Sequence, residues 1–219
     1  SYMKEYEKRS VVTHLYPMNF ICNDNISSIR RRIFGPIGKE LARPQDLDVM
    51  VSAWAHLFST PKYKHVLFED NRKLGTFEDG LYLIDILKYC KCFVYLEKPL
   101  LHYRKTNEGS IVTAYKKGLY KKWEYLYSRI EQRIDYESLG EQYQEALNNR
   151  IACGVLSLGL NEVSSNETLI TQAKVLDEIL ALPRYQKAIR NLKIKSMGIP
   201  WKVFFILCKH KKTKLMIIM

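Results

Sequence analysis

The second half of the chain repeats its apolar side chains at the spacing of a helix surface, and this pattern restricts the fold more than any other feature. Tyr115, Leu119, Trp123 and Tyr127 fall four residues apart, and Leu126 and Ile130 extend the stripe. Residues so spaced share one face of a helix, which predicts a long amphipathic helix from Thr113 to Arg133. The stripe reads as core, not as a platform for stacking bases. A second predicted helix, Gln142 to Leu158, carries Ala146, Leu147, Ile151 and Val155 on one face. The break at Gly140 joins these two as an antiparallel pair. Asn166 to Leu182 makes a third helix, and Pro183 restarts the chain as a fourth, Arg184 to Leu192. No internal repeat is evident.

The first half mixes short pieces. Ser1 to Arg9 reads as the interior of a charged helix, and Val11 to Cys22 as a strand or extended segment. Asn23-Asp24-Asn25 is a turn, and Gly35-Pro36 breaks the piece that begins at Arg30. Asp46 and Asp48 form the chain's single Asp-x-Asp. A diphosphate-binding Asp-x-Asp follows a hydrophobic strand and ends in a loop. Here Asp46 is placed to cap a predicted helix from Val49 to Phe58, with Asp48 in its first turn, so capping is the preferred reading. Pro61 to Lys64 is a polar connection, and Val66-Leu67-Phe68 reads as a short strand.

The chemically able side chains gather between Lys73 and Thr113. Glu78 and Asp79 stand at the mouth of an apolar-periodic segment in which Leu81, Leu83, Ile84, Ile86 and Leu87 recur. A helix from Asp79 to Cys90 follows. Carboxylates in a first helical turn face unpaired N–H groups and the positive end of the helix dipole, which favours their ionised form. Such groups are commonly caps, and chemistry alone prefers that role. An ionised carboxylate on a rigid element can also take a proton from a hydroxyl. Cys92 to Leu96 reads as a buried strand ended by Pro99. After it, Leu100 to Arg104 enters a polar loop in which Arg104, Lys105, Thr106, Asn107 and Ser110 suit an anionic ligand.

This order of an EDG helix start, a strand, and then PLLHYR with a following Asn and Ser resembles the acceptor half of bacterial family 2 glycosyltransferases. These have the GT-A fold and are mostly inverting. The similarity runs from about Arg32 to Tyr127, and more loosely beyond. It implies that Asp79 is the general base that deprotonates the acceptor hydroxyl, with Glu78 supporting it. By the same resemblance His102, Tyr103 and Arg104 lie where the chain returns past the donor's diphosphate, and Asn107 and Ser110 lie in the loop that closes over it. The implied donor is a nucleotide-diphosphate sugar, the acceptor a hydroxyl of a cell-surface glycan or glycolipid, and the cofactor a divalent metal, magnesium or manganese. Its ligands, like the nucleotide pocket, would belong mostly to a first half that these residues lack, so this chain alone is expected to be inactive. The expected fold is α/β, a partial GT-A, predominantly helical, with a few strands followed by a helical subdomain. Residues 1–112 would be the acceptor-side half, 113–199 the helical subdomain, and 200–219 a basic amphipathic tail.

Charge offers an alternative. Net charge is +12 and the pI about 9.4, with clusters at Arg30 to Arg32, Lys116 to Lys122 and Lys209 to Lys214. Such a surface could serve a basic binding module for anionic membrane or nucleic acid. No nucleic-acid motif accompanies it, so nucleic acid is not expected. The apolar run Val203 to Cys208 is too short to span a bilayer. With Trp201 and the lysines it suits either a helix at an anionic membrane interface or a tail packed on the helical subdomain. Five cysteines without paired CxxC spacing argue against a zinc site or a disulfide framework. The expected location is cytoplasmic, peripheral at the inner face of the membrane.

Overall fold

The computed structural model describes residues 2–6, 9–13, 26–96, 98–104 and 114–219. It is predominantly helical, and its three strands form one small sheet. Among the described residues there is no sign of the alternating strands and helices of an α/β layer. Two compact units divide the chain. The first is Ser1–Ile33, Asp48–Glu69 and Phe77–Val112, and the second is Phe34–Leu47, Asp70–Thr76 and Thr113–Met219.

In the first unit, β1 (Tyr2–Tyr6) pairs antiparallel with β2 (Arg9–Thr13), Tyr2 opposite Thr13 and Tyr6 opposite Arg9. On its other side β1 runs parallel to β3 (His102–Arg104), Met3 opposite His102. Tyr2–Tyr6, expected within a helix fragment, is therefore a strand. Backbone partners on both edges outweigh the local preference of a charged segment. Helix α1 (Ile26–Phe34) buries Ile26, Ile29 and Ile33. Its Arg30 is also buried, and Arg30 Nε donates to the Ile84 carbonyl at 2.8 Å. That carbonyl belongs to α4 (Glu78–Tyr89); the one-turn helix α2 (Thr60–Tyr63) is also in this unit, whereas α3 (Asn71–Leu74) belongs to the second. Helix α4 buries Leu81, Leu83, Ile84, Ile86 and Leu87, as their spacing predicts. Each such side chain contributes about 1.5–3 kcal/mol of burial.

Three expected elements of this region do not form. Cys92 to Leu96 makes only a single-residue bridge at Val94, and Val94 and Leu96 are exposed. Val66 to Phe68 is irregular, with Leu67 and Phe68 exposed. A strand is held by its ladder, and a run of β-formers without one stays open. Of two short 3-10 turns, Pro44–Asp46 of the second unit and Ala53–Ala55 of this one, only the latter lies within Val49 to Phe58, where the expected helix does not form. Asp46 lies inside the first of these and pairs with Arg43 at 2.8 Å, so it caps no α-helix. Met50 and Val51 are buried while Leu57 is fully exposed, so the apolar spacing does not define one inward face.

The second unit is built on α5 (Leu119–Tyr136), α6 (Glu141–Val163), α7 (Leu169–Ala181) and α8 (Pro183–Asn191). The aromatic stripe of α5 is core: Trp123, Leu126, Tyr127 and Ile130 are buried. Helix α5 starts later than its periodicity suggests. Gly118, with φ of +68°, turns the chain into it, and Asn161 of α6 ties the preceding loop through both backbone groups of Lys116, at 2.9 and 3.1 Å. Helix α6 buries three polar residues, Asn149, Arg150 and Glu162, and the first two hold the segment around Gly35. Arg150 Nε donates to the Phe34 carbonyl and Asn149 Nδ2 to the Pro36 carbonyl, each at 2.8 Å. Gly35 between them lies so close to the Ala146 carbonyl that a β-carbon there would overlap it.

Residues 200–219 fall within α9 (Ile199–Lys209) and α10 (Thr213–Ile218) of this unit. Helix α10 packs on α7, α9 and α6. Among the described residues no helix is long and apolar enough to cross a membrane.

Candidate functional site

The first turn of α4 is set by an unusual entry. Phe77 precedes the helix in the left-handed region, φ +73°, and its buried ring lies against Gly80, where a β-carbon would overlap it. A left-handed phenylalanine costs on the order of 1 kcal/mol, and the space above Gly80 lets the ring bury in return. This fold-back fixes Glu78 and Asp79 at the helix start, both half-exposed.

Asp79 Oδ2 accepts a hydrogen bond from the Ala53 backbone N–H at 2.9 Å. The carboxylate thereby serves the 3-10 turn Ala53–Ala55 as well as its own helix end. His56 follows that turn, and its Nδ1 lies 2.8 Å from the Ser52 carbonyl. A carbonyl only accepts, so Nδ1 carries the proton and donates it, and in the neutral ring Nε2 holds the lone pair. Burial pushes the His56 ring below its ordinary 6.5, while the Ser52 carbonyl and the charge of Asp79 pull the other way.

His56 lines a cleft of about 350 Å³ together with Phe58, Tyr63, Lys64, Val66 and Tyr82. Its walls are aromatic and ordered against one another. His56 stacks on Phe58 with centroids 5.8 Å apart, Phe58 meets Tyr82 edge-on at 5.6 Å, and Phe68 stacks on Tyr82 at 3.9 Å. Tyr82 stands three residues after Asp79 on α4, so the two share a helical face. Aromatic faces beside a carboxylate can hold a polyol, with ring C–H groups against the π faces and a hydroxyl donating to the carboxylate.

The remaining expected site residues are placed less fully. His102 is exposed on β3, in the same unit as Asp79. Tyr103 and Arg104 follow it in the strand, but their side chains lie outside the described residues, as do Asn107 and Ser110 entirely. Among the described residues no group of three or more His, Cys, Asp or Glu could hold a metal ion, so the divalent metal implied by the resemblance has no ligand set among them. His56, Phe58, Tyr63 and Tyr82 are not among the residues that the sequence pattern singles out. Tyr82 carried a signal, its one-turn offset from Asp79, whereas His56 sat in a stretch read as an ordinary helix.

No protein-family model, curated protein or solved structure matches the chain.

Proposed function

We propose that this chain is the acceptor-side portion of an inverting family 2 glycosyltransferase, a partial GT-A. It would take part in moving a sugar from a nucleotide-diphosphate donor to a hydroxyl of a cell-surface glycan or glycolipid. The observation that carries the reading is the half-exposed Asp79 carboxylate, held by Ala53 and one helical turn from Tyr82 of an aromatic cleft. The resemblance from Arg32 to Tyr127 supports it.

In this reading the acceptor sugar lies on the aromatic wall and its hydroxyl donates to Asp79. As the hydroxyl oxygen bonds to the anomeric carbon, the bond from that carbon to the diphosphate breaks on the opposite side, inverting the configuration. The hydroxyl proton ends on Asp79, and the electron pair leaves with the diphosphate. Glu78, beside it in the same first helical turn, supports Asp79. His102, Tyr103, Arg104, Asn107 and Ser110 supply donors toward the leaving diphosphate. The nucleotide pocket and the divalent metal would come from residues outside this chain.

Asp79→Asn, in a polypeptide that also carries a nucleotide-binding half, tests the assignment. The amide keeps an oxygen for the Ala53 N–H and loses the base. Transfer should fall by at least about a hundredfold, with donor affinity nearly unchanged. Undiminished turnover rejects Asp79 as the base.

A further inference from the structure

The C-terminal hairpin of helices divides its apolar residues between two faces. Phe204, Phe205 and Cys208 of α9 and Met216 of α10 are buried, and Thr213 is buried with them. These side chains anchor the hairpin to the helical unit. A second set lies on the other side and stays at least two-fifths exposed. Ile199, Val203 and Ile206 follow one another along the opposite side of α9, exposed by 78, 43 and 46%. Leu215 and Ile218 of α10 are exposed by 54 and 70%.

Along the chain, this segment carries charge of one sign. From Ile179 to Met219 there is no Asp or Glu, against ten Lys or Arg. Lys202 stands beside Val203, and Lys209, Lys211, Lys212 and Lys214 surround the link between the two helices. A protein partner that reads position by charge would meet no alternation of sign here. A sheet of anionic headgroups asks for none: aliphatic side chains enter the boundary of the acyl chains while lysines stay at the headgroup level. Trp201, half-buried at the start of α9, suits that same boundary.

We propose that α9 and α10 form a peripheral docking surface for an anionic lipid bilayer. The buried residues hold the hairpin to the protein, and Ile199, Val203, Ile206, Leu215 and Ile218 meet the lipid, with Lys202 and the lysines of the link at the headgroups. The inference is independent of the sugar-transfer reading, since it uses none of the residues around Asp79.

The test is flotation of the full chain with vesicles of phosphatidylcholine alone and with added phosphatidylglycerol. Binding is expected only to the anionic vesicles, falling at least about tenfold in high salt and in a variant with Lys209, Lys211, Lys212 and Lys214 changed to Gln. Val203→Ser with Ile206→Ser and Leu215→Ser should lose binding by a similar factor while melting like the parent, because these positions face solvent. Failure to bind anionic vesicles, or full binding by the serine variant, overturns the proposal. So does self-association of the chain in light scattering that the serine variant abolishes, since a second copy would then cover the face.

Discussion

Asp79 and Ala53, distant in sequence, are joined by a 2.9 Å hydrogen bond from the Ala53 N–H to Asp79 Oδ2. One carboxylate is thus both the first-turn residue of α4 and the cap of a separate 3-10 turn. Structure and proposed chemistry therefore meet on the same group, and the choice of substitution separates them. Asp79→Ala leaves a half-buried N–H without its acceptor and should cost about 1–2 kcal/mol in urea unfolding. Asp79→Asn should cost less than half as much. Equal losses for the two would show that the negative charge, not the hydrogen bond, holds the turn.

His56 makes stability depend on pH. Its folded ring titrates below the unfolded value of 6.5, so between the two the unfolded chain binds the extra proton. The contribution of His56 is therefore complete above about pH 6.5 and is lost as pH falls through the window beneath it. Unfolding at pH 5 and pH 7.5 measures this against His56→Gln, which does not titrate. The parent should lose more stability on acidification than the variant, and identical slopes would contradict the burial of the ring.

Two glycines should respond differently to a methyl group. At Gly35 the added carbon meets the Ala146 carbonyl, which is fixed in α6; at Gly80 it meets the Phe77 ring, which can swing away. Gly35→Ala should destabilise by about 3 kcal/mol. Gly80→Ala regains about 1 kcal/mol of helix propensity and should cost distinctly less. Chemical denaturation gives the order, and the reverse order would contradict the placement of residues 34–36 against α6.

Arg150 offers a fourth check. It is buried and its Nε donates to the Phe34 carbonyl. Arg150→Met keeps most of the stem and removes the donor, which should cost about 1.5–3 kcal/mol, as for a hydrogen bond from a charged group. Hydrogen exchange in α6 should accelerate together with the loss of global stability.

Tyr82 belongs to the cleft more than to the core, and it tests the proposed acceptor contact. In a polypeptide that also carries a nucleotide-binding half, Tyr82→Ala should weaken binding of the acceptor glycan by about tenfold, the loss of one stacked ring, while leaving donor affinity unchanged. Ligand-observed NMR with the acceptor reads the difference. An unchanged acceptor affinity would remove the aromatic cleft from the proposed site.

Much of the helical unit was legible from residue order. Trp123, Tyr127, Ile151 and Val155 lie at the spacing of a buried helical face, and burying that face is what makes each helix stable, so pattern and structure share one cause. The start of α4 was legible for the same reason, through Leu81, Ile84 and Leu87. The short elements of the first half were not. Met3 is in a strand because β2 and β3 supply its ladder, and Val66 to Phe68 is not because no ladder forms there; nothing within either segment distinguishes them.

The same division runs through the candidate site. Local order placed Asp79 in a helical first turn. Only the folded chain brought Ala53 to that carboxylate and arranged His56, Phe58 and Tyr82 around one cleft, because contacts between residues far apart in sequence depend on how the segments pack. Composition marked the C-terminal segment as basic and apolar at once. Which of its apolar residues anchor the hairpin and which face outward was decided by α6, α7 and α8, whose surfaces can cover one side of a helix and not the other.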